Sequence, residues 1–337
     1  MNKKILVTGG LGYIGSHTVV ELQNNGFEVV VIDDLSNSEE FVHEKIEQIT
    51  NKKLEYHLID LKDQEAVDEF FSHQDIAGVI HFAAHKAVGE SVEKPLMYYR
   101  NNIVGLLNLL EAARDQNIGN FIFSSSCTVY GQADELPIDE NAPLKKAESP
   151  YGKTKQMGEE ILEDFSETYK KNVIALRYFN PIGAHPTALI GELPKGIPNN
   201  LIPFVTQTAA GIREQLSVFG DDYPTRDGTA IRDYIYVMDL AKAHVMALQR
   251  LLDGKNKKNY EIFNLGTGTG STVLEVIQAF EKANKVKLKY KITERRAGDI
   301  TAAYADNTKA EKELGWKPET NLEESLRTAW EWQKTLK

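Results

Sequence analysis

Short apolar runs alternate with longer stretches of helical periodicity through the first half of this chain. Lys4-Ile5-Leu6-Val7, Glu28-Val29-Val30-Val31-Ile32, Gly78-Val79-Ile80-His81-Phe82 and Asn120-Phe121-Ile122-Phe123 are rich in valine and isoleucine. Runs of that kind, spaced by helical segments, predict a parallel sheet covered by helices on both faces. Another run, Val173-Ile174-Ala175-Leu176-Arg177-Tyr178, follows a helix predicted to begin near Ser149. The pattern therefore predicts a doubly wound α/β domain of Rossmann type over residues 1–180. Beyond it, a Gly/Pro-containing loop from Pro181 to Pro198 precedes helical stretches near 199–211, 238–252, 271–282 and 321–335. These read as a smaller α/β lobe over 181–337. Tyr260-Glu261-Ile262-Phe263-Asn264 has the character of one more buried strand, so segments near 232–265 are expected to return to the first domain.

Composition narrows the class. At 337 residues, 42% hydrophobic and 26% charged, the chain is an ordinary globular one that can bury a sizeable core. Its 49 acidic residues outnumber 39 basic ones, and no lysine or arginine run supplies the footprint nucleic acid requires. No stretch approaches the roughly 18 apolar residues of a membrane span. The apolar run after Met1-Asn2-Lys3-Lys4 ends at glycines too soon for a signal peptide. Cys127 is the single cysteine, so no internal disulfide can form, and a reducing cytoplasm is the expected compartment.

Thr8-Gly9-Gly10-Leu11-Gly12-Tyr13-Ile14-Gly15 lies between the first strand and a helical pattern. Glycines at 9, 12 and 15 allow a tight turn and a close approach of backbone to a pyrophosphate, which the N–H groups and dipole of the helix start favour. Asp33 closes the second strand and can accept hydrogen bonds from a ribose while repelling the extra phosphate of NADP, which points to NAD. The competing explanation is glycines for tight packing and Asp33 as a helix cap. Asp60-Leu61 ends the third strand in reach of an adenine, although such a pair is common in any chain.

Ser149-Pro150-Tyr151-Gly152-Lys153-Thr154-Lys155 adds the chemistry. Ser149 can cap a helix whose first turn suits Pro150, and Tyr151 and Lys155 then share a face. A phenol is a poor base near neutrality unless a neighbouring ammonium and a cationic nicotinamide favour the phenolate. The Tyr-x-x-x-Lys spacing alone is frequent by chance. It gains meaning beside the glycine loop and beside Ser124-Ser125-Ser126, which ends a predicted parallel strand where such folds bind ligands. Together these groups predict reversible hydride transfer at a carbinol carbon. No metal site is expected.

These residues resemble the extended short-chain dehydrogenase/reductase family, and longer stretches narrow the resemblance to its UDP-hexose 4-epimerase branch. The matching pieces include residues 8–18, 86–92, 121–131, 149–155, 177–186, 196–203, 219–225 and 227–241, in order along nearly the whole chain. The resemblance implies that Tyr151 takes the proton of the sugar 4-hydroxyl, that Lys155 binds the nicotinamide ribose and lowers the phenol pKa, and that Ser126 assists the proton transfer. It implies a 4-keto sugar that turns and is reduced on its other face, with NAD regenerated in place. Tyr13, Ile14, Asn37, Ser38, Leu61, Phe82, Ala83, Lys86, Asn101, Ser124 and Tyr178 then fall at cofactor-contacting positions. Asn180, Asn200, Leu201, Phe219, Arg232, Tyr234, Arg296 and Asp299 fall around UDP, with Ser126 and Tyr151 also touching the sugar. A homodimer is implied as well, through residues 95–115 and 151–170, although Met97, Leu106, Leu107, Leu109 and Leu110 serve equally well as core.

Three departures from the family pattern stand out, at Asp34, at Ala84-His85 and at Ala303. Asp34 stands where many members have asparagine, and Ala84-His85 replaces a common Gly-Leu. Ala303 stands where some members have a tyrosine that closes the sugar pocket. A small residue there leaves room for an N-acetyl group, unless Tyr304 fills the space. A 4,6-dehydratase would need an acid pair after Ser126, where this chain has Cys127-Thr128. A plain dehydrogenase would release its reduced cofactor, and a non-catalytic NAD-binding regulator would have no use for Tyr151, Lys155 and Ser126 together.

Overall fold

Seven parallel strands form the central sheet of the computed structural model, which describes residues 3–296 and 299–336. The first six in the chain are β1 (Lys4–Thr8), β2 (Glu28–Asp33), β3 (Glu55–Leu58), β4 (Gly78–His81), β5 (Asn120–Ser124) and β6 (Asn172–Tyr178). In space they run β3-β2-β1-β4-β5-β6, and the Tyr260–Leu265 strand completes the edge by pairing parallel to β6. The second half of the chain thus returns to the first sheet.

The uninterrupted apolar runs have a direct cause. Successive strand residues point to opposite faces, so a strand buried on both sides must be apolar at every position. Ile5 and Val7 of β1 join Val29, Val31, Ile80 and Ile174 on one face, while Leu6 joins Val30, Ile32, Val79 and Phe121 on the other. Helix α1 (Tyr13–Asn24) covers the first face through Val19, Val20 and Leu22, together with the Val237–Leu252 helix through Leu240, Ala243 and Leu248. The Gly105–Asp115 and Pro150–Tyr169 helices cover the second face through Leu106, Leu109, Leu162 and Phe165. Each fully buried aliphatic chain contributes roughly 1.5–3 kcal/mol.

A second core lies in the C-terminal lobe. Val205, Val218, Val276, Phe280 and Leu326 bring together the Leu201–Ala209, Val273–Asn284 and Leu322–Thr335 helices and the paired Leu216–Phe219 and Tyr290–Thr293 strands. Short strands tie this lobe to the carboxyl ends of the main sheet. Asn180–Ile182 pairs with Tyr234–Tyr236, and Ile231–Arg232 pairs with both Ser271–Thr272 and Ala302–Ala303. Strand order reverses between β1 and β4, which opens a crevice at their carboxyl ends.

Candidate active site

The glycine turn sits at that crevice. Gly9 adopts φ +68°, and a Cβ there would meet the Ala83 nitrogen at 2.8 Å. A Cβ on Gly15 would lie 2.1 Å from the Gly9 carbonyl oxygen, so residue 15 must be glycine for the loop to close over α1. Gly12 caps α1 without any side-chain partner for the first helical N–H groups, which are left to a ligand or solvent. The described residues therefore fit a dinucleotide pyrophosphate.

Asp33 braces this turn. Its carboxylate accepts the Leu11 N–H at 3.0 Å, the Leu35 N–H at 3.0 Å and the Ser38 hydroxyl at 2.6 Å. A carboxylate has about four acceptor positions, so it keeps capacity for a ribose hydroxyl. Gly9, Asp33, Asp60, Leu61, Ala83 and Asn101 line one recess with Asp34, Ile59, Lys62, Ala84 and His85. Asp34, Ala84 and His85, three of the four unusual residues, thus face the same space. Lys62 bridges it by donating to Asp60 at 2.9 Å and Asn101 at 3.1 Å. Asn37 is exposed at its rim.

On the other side of the turn, Tyr13 donates to the Gly183 carbonyl at 2.7 Å and lies under the Lys86 ammonium, 5.8 Å from the ring centre. Ile14 packs against the core, and Phe82 lies 4.7 Å from the His244 ring.

The proton-transfer groups come from two elements. Ser149 accepts the Gly152 N–H at 3.1 Å and Pro150 occupies the first turn, so the helix starts where the sequence predicts. Tyr151 and Lys155 are both buried on that helix, and the Lys155 ammonium lies 6.0 Å from the Tyr151 ring centre. Ser126 ends the loop after β5, where its hydroxyl accepts the Thr128 N–H at 3.2 Å. Burial pushes the Tyr151 phenol up to about 12, and the neighbouring Ser126 hydroxyl pulls the other way. Burial also lowers Lys155 to about 8, against the pull of Glu159. Desolvation is the larger effect, and the ammonium is directed to the Ser124 carbonyl at 2.6 Å. Ser124 in turn shares a hydroxyl contact with Tyr178.

The expected UDP contacts gather in linked groups. Arg232 pairs with Asp299 and stands opposite Ala303 in the strand register. Asn180 stands opposite Tyr234. The Arg296 guanidinium lies 6.0 Å from the Phe219 ring centre, and both side chains are exposed. Asn200, next to Leu201 at a helix start, donates to Glu192 at 2.7 Å, and Lys86 reaches the same carboxylate oxygen at 3.2 Å. Arg232 also acts on Cys127, whose thiol burial holds up at about 12. The arginine group and the Ser126 loop are therefore neighbours.

Sequence reading missed Glu192, Glu159 and Arg177. Glu192 sits 106 residues from Lys86, a distance no local pattern bridges. The Thr128 hydroxyl is buried without a hydrogen-bond partner next to Ser126.

The sequence matches the GDP-mannose 4,6 dehydratase family over residues 6–329. A UDP-glucose 4-epimerase from Bacillus subtilis is 52% identical over 98% of this chain and 97% of its own. A UDP-glucose-4-epimerase from Stenotrophomonas maltophila, solved with NAD and formylated UDP-arabinopyranose, superposes with a TM-score of 0.96 at 46% identity over 99% of each chain. A UDP-Glc/GlcNAc 4-epimerase from Campylobacter jejuni superposes with a TM-score of 0.85 at 37% identity, over 99% of this chain and 100% of its own.

Proposed function

The chain belongs to the extended short-chain dehydrogenase/reductase family, in the group that the GDP-mannose 4,6 dehydratase description covers, and we infer from that membership that it is an NAD-dependent UDP-hexose 4-epimerase. It interconverts UDP-galactose and UDP-glucose by removing hydrogen from C4 of the sugar and returning it to the opposite face of a 4-keto intermediate. Bound NAD supplies the hydride acceptor and donor for that exchange. The observation that supports the reading is the gathering of Tyr151, Lys155 and Ser126 at the carboxyl end of β5, with Lys155 bonded to the Ser124 carbonyl.

The side chains divide the work. Tyr151 takes the proton of the C4 hydroxyl and later gives it back, with Ser126 orienting the exchange. Lys155 places a positive charge under the phenol and offers donors to a ribose. Gly9, Gly12 and Gly15 admit the pyrophosphate, and Asp33 selects NAD over its phosphorylated form. Arg232 and Arg296 suit the substrate diphosphate, because a planar guanidinium offers paired donors to phosphate oxygens. We assign NAD to residues 1–180 with the returning segments near 232–265, and the UDP-sugar mainly to 181–337. A homodimer and a cytoplasmic location complete the proposal. Val88, Val92, Leu96, Val104 and Leu107 are exposed apolar side chains of the kind that subunit pairing covers.

Elimination across C5 and C6 is disfavoured by chemistry at Cys127-Thr128. A dehydratase needs a carboxylic acid there, whereas Cys127 holds its proton up to about 12 and Thr128 is a neutral alcohol. Incubating the purified protein with UDP-galactose and no added cofactor tests the whole reading. UDP-glucose is the expected product, and folded protein that makes none overturns it.

A further inference from the structure

We propose that Glu159 is a positioning residue for this reaction, holding the Ser124–Ser126 strand end and the Lys155 ammonium in register from behind the site. The proposal rests on the roles given above to Tyr151, Lys155 and Ser126. Glu159 is 4% exposed and lies one helical turn beyond Lys155 on the same face. Lys155 takes the Ser124 carbonyl at 2.6 Å, and Glu159 takes the Ser125 hydroxyl. Two residues one turn apart on the helix thus clamp the two consecutive residues that precede Ser126. With Ser124 and Ser125 fixed, the Ser126 hydroxyl, which accepts the Thr128 N–H, is held beside Tyr151.

Arg177 of β6 completes the clamp. Its Nε donates to both Glu159 oxygens, at 2.9 and 3.2 Å, and its Nη1 donates to the Tyr130 hydroxyl at 3.0 Å. Such a buried, planar pair holds the carboxylate at a fixed angle. The titratable groups around Lys155 are Tyr151 and Glu159 on its own helix, His81 on β4 and Tyr178 on β6, with Arg177 behind Glu159. Glu159 is the carboxylate among them. His81 is neutral, because burial lowers it to about 3. Glu159 is accordingly the group that opposes the loss of the Lys155 proton on burial.

The experiment compares kcat against pH for wild type, Glu159→Gln and the double variant Glu159→Gln/Arg177→Met, using UDP-galactose and no added cofactor. Glutamine can still accept the Ser125 hydroxyl, and methionine removes the guanidinium that would otherwise be left buried and unpaired. Both variants should keep bound NAD and a KM within about twofold of wild type. Their alkaline limb should move down by about one pH unit, which is about tenfold in the protonated fraction of Lys155. A lost fold alone would lower kcat equally at every pH and would not move the limb. If Glu159→Gln does not fold, the double variant decides. A limb that superimposes on wild type overturns the proposal, while an inactive wild type overturns the epimerase reading instead.

Discussion

Lys155 donates to the Ser124 carbonyl at 2.6 Å while its ammonium stands 6.0 Å from the centre of the Tyr151 ring. The lysine is therefore anchored to the strand end and acts on the phenol through space. That anchor fixes where the charge sits, but burial still raises Tyr151 to about 12 and lowers Lys155 to about 8. The protein alone keeps a protonated phenol near neutrality, and activation of Tyr151 is tied to the arrival of further positive charge.

Tyr151→Phe removes one oxygen from a buried ring and leaves the Ser149 cap and the Lys155 anchor in place. The variant should fold, retain NAD and lose about a thousandfold in kcat, in the range of a general acid–base group. Steady-state turnover of UDP-galactose measures this. Activity within about tenfold of wild type would remove Tyr151 from the proton path.

Gly15→Ala places a methyl group 2.1 Å from the Gly9 carbonyl oxygen, a contact that neither backbone segment can relieve locally. The turn should open and the purified variant should carry little NAD. Nucleotide content after denaturation is the readout. A full complement of NAD would mean that this loop is not the pyrophosphate seat.

His17 and His81 contribute strongly to the acid side of stability, beside the buried His185 and His244, which burial lowers to about 4. Burial lowers both His17 and His81 to about 3, from an ordinary 6.5. Between those values the unfolded chain binds protons that the folded chain does not, so stability falls as pH drops below 6.5. From pH 6.5 to 5 the two together cost about 4 kcal/mol at 1.36 kcal/mol per unit each. Urea unfolding at pH 7 and pH 5 should show at least that loss, and His17→Phe should reduce it by about 2 kcal/mol. Equal stability at the two pH values would contradict the assignment.

Much of this was legible because it is local. The runs around Ile5, Val30 and Ile122 are apolar at every position, and only a strand buried on both faces needs that. The Ser149 cap, Pro150 and the Tyr151/Lys155 face lie within one helical turn and a half, so spacing alone places them. Asp33 was found by position, although its bracing of Leu11, Leu35 and Ser38 was not. What escaped is long-range and polar. Glu159 meets Arg177 only because the helix packs beside β6, and Glu192 meets Lys86 only because the second lobe folds back over the first. Neither partner can be chosen from sequence among the many charged residues available. The balance at Lys155 was illegible for a related reason, since desolvation depends on burial that no motif records.

On the proposed epimerase reading, Ala303 is the position that sets how large a sugar Tyr151 can serve. It is 5% exposed, packs with Val129, Phe179 and Ala305 near Cys127, and stands opposite Arg232. Alternate strand residues point to opposite faces, so Tyr304 turns away from Ala303. Its ring lies instead against Gly270, where an added Cβ would meet Tyr304 Cδ1 at 3.1 Å. Tyr304 therefore does not cover Ala303, which on the proposed reading favours acceptance of an N-acetyl group at C2. The wild type should interconvert UDP-GalNAc and UDP-GlcNAc as well as the plain hexoses. Ala303→Tyr should lower kcat/KM for the acetylated pair by about a hundredfold, the scale of a steric misfit of a few kcal/mol. Plain-hexose turnover should change by less than about threefold, because those substrates place only a hydroxyl in that space. Wild-type protein that turns over plain hexoses but neither acetylated sugar would sink the idea, and so would a tyrosine variant that loses both activities in equal measure.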